Sequence, residues 1–151
     1  LVTLEKPAIL RCLKSGEPVL LPEKAKDIPA SLTWGGDVAE MIYRLLLNPD
    51  AAGEDFNVTT SEALTWGEIA GIYEDLMGLS CRWVSEEEYQ LFRNPSFDPV
   101  NNPEAVWQLR YARLFHRVYD NSKMLAATGL SQSSFLSLRE GLSRELPSLI
   151  N

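Results

Sequence analysis

Apolar positions along this chain fall into short blocks whose spacing alternates between helical and extended periods. Val38, Met41, Ile42, Leu45 and Leu46 recur at i, i+3, i+4, i+7 and i+8, which is one stripe of an amphipathic helix. Asp37 sits where that helix begins, a position at which a carboxylate favours the exposed amides, and Asn48-Pro49-Asp50 ends it. Thr65 with Glu68 has the spacing of a capping box, with Leu64 and Ile69 placed to staple it; Trp66, Ile69, Ala70, Tyr73, Leu76 and Met77 then form a buried face that stops at Gly78. Ser85 with Glu88 repeats the cap and opens a short helix to about Arg93. Residues 7–15 form a helix between Pro7 and Gly16, residues suited to a first turn and to the position just past a last one. Pro103 starts a helix with Trp107, Tyr111, Leu114 and Phe115 on one face. Asp120 or Asn121 caps another that Gly129 ends. The last runs from about Ser134 with Phe135, Leu138, Leu142 and Leu146 inward.

Extended segments are few. Glu17–Pro22 is one, though its prolines disfavour a central strand. Ile28 to Trp34 is a second, ended by Gly35-Gly36; Asp55–Thr59 alternates polar and apolar; Cys81–Val84 and Val118-Tyr119 are brief. Residues 23–27 read as a charged loop. Residues 94–103, with three prolines and three asparagines, read as a loop able to reorganise around a ligand. The pattern predicts a helix-rich α/β unit with few short strands. Such strands cannot build a large sheet alone, and some would pair more naturally with a partner domain.

Composition narrows the chemistry. The 151 residues suit one domain large enough to fold without metal or disulfide. There is no apolar run of membrane-spanning length and no signal peptide, which points to the cytoplasm. Fourteen Lys and Arg against 21 Asp and Glu leave a net charge of −7, which argues against nucleic acid as a partner. His116 is the only histidine, so multi-histidine metal sites are excluded and no metal is expected. Cys12 and Cys81 fit no CxxC pattern and read as free thiols in a reducing compartment. Asn57-Val58-Thr59 has the form of a glycosylation acceptor but carries no weight without a secretory signal. The chain opens at Leu1 in mid-pattern and reads as a piece of something longer.

Four segments, in order, resemble the C-terminal part of the extended short-chain dehydrogenase/reductases, the NAD-dependent epimerase/dehydratase family. Leu32-Thr33-Trp34-Gly35-Gly36-Asp37-Val38-Ala39 is similar to the family's strand that runs into an Asp-Val-Ala helix start. Gly53-Glu54-Asp55-Phe56-Asn57-Val58 resembles its Gly-Glu-x-Tyr/Phe-Asn-Val strand, and Leu64 to Ala70 its Leu-Thr/Ser-x-x-Glu-Ile/Leu helix opening. Tyr119-Asp120-Asn121-Ser122-Lys123 through Leu130 resembles the Asp-x-Ser-Lys…Leu-Gly segment, with Ser134 to Leu146 similar to the final helix. The resemblance spans about residues 7–146. It implies that residues 1–151 are a single C-terminal substrate-binding domain of a protein in the NAD(P)-binding Rossmann-like superfamily.

The same resemblance implies what is missing. No GxGxxG or GxxGxxG turn occurs, so the glycine-rich Rossmann half is absent and no residue here is expected to bind cofactor. Of five tyrosines only Tyr119 has a lysine four residues on, Lys123, in a region where the family places no catalysis, and that match reads as chance. The parent protein is therefore expected to be an epimerase, dehydratase or reductase using NAD or NADP, with this chain inactive alone and containing no catalytic residue. Its implied partners are the N-terminal Rossmann cofactor domain of the same protein and a small-molecule substrate, a sugar among the candidates; a homodimer is allowed.

Candidate substrate residues are Trp34, which could wall a pocket or pack in the core, and the basic group Arg110, Arg113, His116 and Arg117. On a continuous helix Arg110, Arg113 and Arg117 share a face and could hold a phosphate or carboxylate, or they could be a solvated face of an acidic protein. Asp37 reads as a helix-terminus partner rather than a catalytic acid. Nucleotide-sugar members usually carry an arginine about seven residues before the aspartate, where Ala30 stands, and an Arg-x-Gly-Asp-like stretch that Leu114-Phe115-His116-Arg117 does not match. A nucleotide sugar is thus not supported. The competing expectation is a non-catalytic α/β binding or protein-interaction module; an RNA-binding family member fits poorly with the charge.

Overall fold

The computed structural model describes the backbone of residues 6–150 and the side chains of residues 7–112 and 114–146. The chain is helix-rich α/β with short strands. In chain order the elements are α1 (Lys6–Ser15), β1 (Val19–Pro22), β2 (Pro29–Ala30), α2 (Gly35–Leu47), β3 (Leu64–Thr65), α3 (Trp66–Met77), β4 (Cys81–Val84), α4 (Glu86–Arg93), α5 (Pro103–Gln108), α6 (Ser122–Thr128) and α7 (Leu138–Ile150). A π turn, Leu109–Arg113, extends α5. The described residues divide into two compact units, one of 6–29, 64–116 and 149–150, the other of 30–63 and 117–148.

The first unit is built on β1, which pairs in parallel with β4 from Val19↔Cys81 to Pro22↔Val84. All four residues of β1 are buried. Val19 and Leu21 face one cluster with Ile9 and Cys12 of α1, Ala70 of α3 and Leu79. Leu20, on the alternate side, joins Val84, Tyr89 and Leu109. A strand covered on both faces reads as a continuous apolar run, as Val-Leu-Leu does here. Pro22 is accommodated because, in a two-stranded sheet, each strand has a side with no ladder hydrogen bonds to lose.

Both expected caps form, but unequally. The Thr65 hydroxyl accepts from Glu68 N at 3.2 Å while Glu68 Oε2 accepts from Thr65 N at 2.8 Å, so the box is complete. Ser85 Oγ accepts from Glu88 N at 3.2 Å, whereas the Glu88 carboxylate turns to Arg82 at 2.8 Å. The aromatic residues expected on one face of the Pro103 helix are exposed, with Trp107 at 64% and Tyr111 at 72%. The helix changes pitch at the π turn, where Leu114 N bonds Leu109 O at 3.0 Å, and Leu109 is the residue that enters the core. Residues 23–27, expected as a loop, contain a 3₁₀ turn at Glu23–Ala25.

The second unit departs further from the sequence pattern. Gly35-Gly36 ends the extended run as expected, and does so by forming the first turn of α2. Within the extended run only Pro29–Ala30 is a strand, and Ala30 also makes a lone parallel bridge to Arg117, just ahead of the strand expected at Val118-Tyr119. Asp55–Thr59 is not a strand either. Its carbonyls find side-chain donors: Asp55 O takes Lys123 Nζ at 3.0 Å and Thr59 O takes Asn121 Nδ2 at 2.8 Å. Backbone groups satisfied in this way need no neighbouring strand. The final helix begins at Leu138, behind a 3₁₀ turn at Gln132–Ser134, because Ser137 and Glu140 form the reciprocal cap: Ser137 Oγ accepts from Glu140 N and Glu140 Oε2 from Ser137 N. Along α2, Met41 is fully buried, yet Ile42 and Leu46 of the expected stripe are exposed.

Candidate functional site

Trp34 is held as a scaffold residue of the second unit. It precedes α2 in extended backbone geometry, and its indole Nε1 donates to Glu145 Oε1 at 2.9 Å. The Arg144 guanidinium lies 5.1 Å from the ring centroid, within cation–π range. Two glycines make the space: a Cβ at Gly36 would lie 2.1 Å from ring atom Cζ3, and one at Gly141 would lie 3.2 Å from Trp34 Cβ. The half-buried ring thus lies over the first turn of α2 and against α7.

The basic residues do not share a helix face. Helical geometry lapses after Arg113, so the helix expected to carry Arg110 and Arg117 together is not continuous, and the two residues belong to different units. Arg117 is half-buried, and its carbonyl accepts from Ser31 Oγ at 3.2 Å. His116 is exposed. The Arg113 side chain lies outside the described residues. Arg110 lines a cavity. Tyr119 and Lys123 also fail to share a helix, since α6 opens at Ser122, and Lys123 is bonded to Glu54 at 2.7 Å.

Asp37, 8% exposed, accepts Leu136 N at 2.9 Å through Oδ2, joining the start of α2 to the approach of α7. Replacing it with alanine orphans that amide and is expected to cost about 1–3 kcal/mol in a urea melt, while Asp37→Asn, which keeps an acceptor, costs less.

The cavity lies wholly within the first unit, between α4, the 94–102 loop and α5, with a volume of about 310 Å³. Leu91, Phe97, Pro99, Val106 and Leu109 supply its apolar walls; Glu86, Glu87, Gln90 and Arg110 supply the polar groups. The loop carries its own hydrogen bonds. Asp98 Oδ1 accepts from Val100 N at 2.9 Å, Asn94 Oδ1 from Ser96 N at 3.1 Å, and Asn102 N donates to Asp98 O at 2.8 Å. These are the turns that Asn and Asp side chains favour. Glu86 is neutralised by Lys24 at 2.5 Å and approached by Arg110 at 4.0 Å. Glu87 is exposed with no ion-pair partner among the described residues. Gln90, 4% exposed, donates Nε2 to Ala105 O at 2.9 Å. Only the NH₂ group can donate there, so the amide orientation is fixed, and no donor among the described residues reaches Oε1. The sequence pointed to the loop and to Arg110; it gave no sign of Glu87 or Gln90, whose convergence depends on how α4 meets α5.

Neither thiol is poised for chemistry. Burial, with the charge of Glu74 and the neighbouring Cys12, pushes the Cys81 thiol up to about 12. Both cysteines are free. With Cys81 so rarely a thiolate and Cys12 buried, a disulfide reagent at pH 8 is expected to react slowly with the native chain and to titrate two thiols once denaturant is added. Among the described residues no group of three His, Cys, Asp or Glu is placed to hold a metal, and no helix is long and apolar enough to cross a membrane.

The residues present do not fit a dinucleotide. Among the described residues only α2 opens on glycines, no glycine-rich turn precedes it, the Trp34 ring covers Gly36, and Asp37 puts a carboxylate in the first turn, where a pyrophosphate would be repelled. Four carboxylates are instead used as scaffold anions, among them Asp120, which hydrogen bonds from Ser122 hold below its ordinary value. Hydrogen bonding by Lys123, and its charge, lower Glu54; Thr65 lowers Glu68; Ser137 and then Arg144 lower Glu140. For a depressed carboxylate the added stability is present above its ordinary range and is lost as pH falls through the lowered value. Glu140→Gln is therefore expected to flatten the acid side of the melting-temperature profile.

No family model matches the chain, and no match is found among curated proteins or solved structures.

Proposed function

We propose that this chain is the substrate-binding part of an NAD(P)-dependent epimerase, dehydratase or reductase of the extended short-chain type, in the Rossmann-like superfamily. In this reading the nicotinamide site and the Tyr-Lys pair belong to a cofactor domain of the same protein, and the present residues grip and orient the substrate. The observation that carries the reading is the set of side-chain links among the segments that resemble the family. Asp37 of the first accepts the amide of Leu136 at the head of the last. Glu54 and Asp55 of the second take the Lys123 ammonium of the fourth, and Asn57 Nδ2 donates to Asp120 O at 2.9 Å. Four of the segments picked out by sequence alone are thus tied in two pairs, the first with the last and the second with the fourth.

The reading makes two expectations. The coding frame before Leu1 should encode a βαβ unit with a glycine-rich turn and a Tyr-x-x-x-Lys helix. The chain alone should give no heat when titrated with NAD⁺, NADP⁺ or their reduced forms; micromolar binding would overturn the assignment. A non-catalytic binding module is the second reading, favoured by the cavity being complete within one unit. A frame that lacks the cofactor unit would select it.

A further inference from the structure

We infer that the cavity between α4 and α5 binds a compact, uncharged and mainly hydrocarbon small molecule. The walls set the apolar character. Leu91, Phe97, Pro99, Val106 and Leu109 offer no polar side-chain atom, and about 310 Å³ is at the small end of ligand pockets. The edge sets the charge. Glu86 and Glu87 bring two carboxylates, Arg110 and Lys24 bring two cations, and the four sum to zero. Lys24 bonds Glu86 at 2.5 Å and Arg110 lies 4.0 Å from the same carboxylate, while Glu87 is exposed and screened by solvent. A charged head of either sign therefore meets no net field of opposite sign, yet gives up hydration beside hydrocarbon walls. Gln90, 4% exposed, spends its Nε2 donor on Ala105 O at 2.9 Å. The walls also stand without a ligand. Phe97 N donates to Asn94 O at 2.9 Å and Asp98 N to Asn102 Oδ1 at 3.2 Å, so Phe97 and Pro99 ride on a loop bonded to itself at both ends. A preformed apolar hollow takes a ligand without the cost of ordering its walls.

This site is independent of the function proposed above. The intact chain is titrated by calorimetry with 3-phenylpropan-1-ol, with the charged analogues 3-phenylpropylamine and 3-phenylpropionate, and with the zwitterion phenylalanine. The alcohol should bind at least about tenfold more tightly than any of the other three. Raising the ionic strength should not weaken it, because no ion pair holds it. Val106→Trp should fill the cavity and abolish binding. Val106→Leu, a smaller intrusion into the same wall, should weaken the alcohol while far-UV circular dichroism shows the fold retained. No saturable binding of the alcohol, equal or tighter binding of an ionised analogue, or unchanged affinity in a folded Val106 variant would each overturn the inference. None of these outcomes touches the assignment to the oxidoreductase class, which depends on the upstream coding sequence and on nicotinamide binding.

Discussion

Trp66→Ala is expected to destabilise the chain by about 3–5 kcal/mol, the usual cost of emptying a site filled by a large buried aromatic. Trp66 is 5% exposed at the first position of α3, and its amide donates to Ile28 O at 3.1 Å. The next amide, Gly67 N, donates to Lys26 O at 2.8 Å, so this end of the helix is clamped to the 26–28 segment. With the backbone fixed at both bonds, the surroundings can collapse only partly into the space left by the indole. Urea unfolding followed by far-UV circular dichroism measures the loss. Ile69→Val, one turn further along the same buried face, should cost only about 0.5–1.5 kcal/mol. A near-neutral result for Trp66→Ala would mean that this face of α3 is not the one that packs.

The second large effect is a reversal of sign. Gly36→Ala places a methyl group 2.1, 2.2 and 2.6 Å from three atoms of the Trp34 ring, so the ring must leave its position over α2. Overpacking of this kind costs about 1–3 kcal/mol. In a Trp34→Ala background the obstruction is gone, and the same Gly36→Ala change should stabilise by about 0.5–1 kcal/mol, because alanine is the better helix residue. The two differences combine into a coupling of about 1.5–4 kcal/mol, readable from a double-mutant cycle of urea melts. Independent, additive effects would show that the ring does not lie over Gly36.

Local chemistry made much of the helical framework legible. Thr65 with Glu68, Ser85, Gly16, Gly78 and Gly129 are determined by hydrogen bonds and backbone freedom within a few residues, and each marks a helix end where expected. The strand expected at Asp55–Thr59 fails for the opposite reason. Its alternation is real, but its carbonyls are met by Lys123 and Asn121, donors from a distant segment that no local pattern reveals. The aromatic stripe of Trp107, Tyr111 and Phe115 shows a related limit: periodicity identifies a face, while the change of pitch at Leu109 decides which face is covered. The candidate site was half visible. The Pro- and Asn-rich loop and Arg110 could be singled out in advance, but the pairing of Gln90 with Ala105 requires the packing of α4 on α5. Trp34 was singled out as well, and its surroundings depend on Gly141, far along the chain.

The outward apolar residues of α2 have a practical consequence. Ile42, Tyr43, Leu46 and Leu47 form a greasy ridge on the solvent side, with Leu46 79% exposed. At neutral pH, mutual repulsion between molecules carrying a formal charge of −7 opposes ridge-to-ridge sticking. Near the isoelectric point of about 4.7 that repulsion vanishes while the ridge does not change. Turbidity should therefore peak there, rise steeply with concentration, and recede when Leu46 is exchanged for lysine.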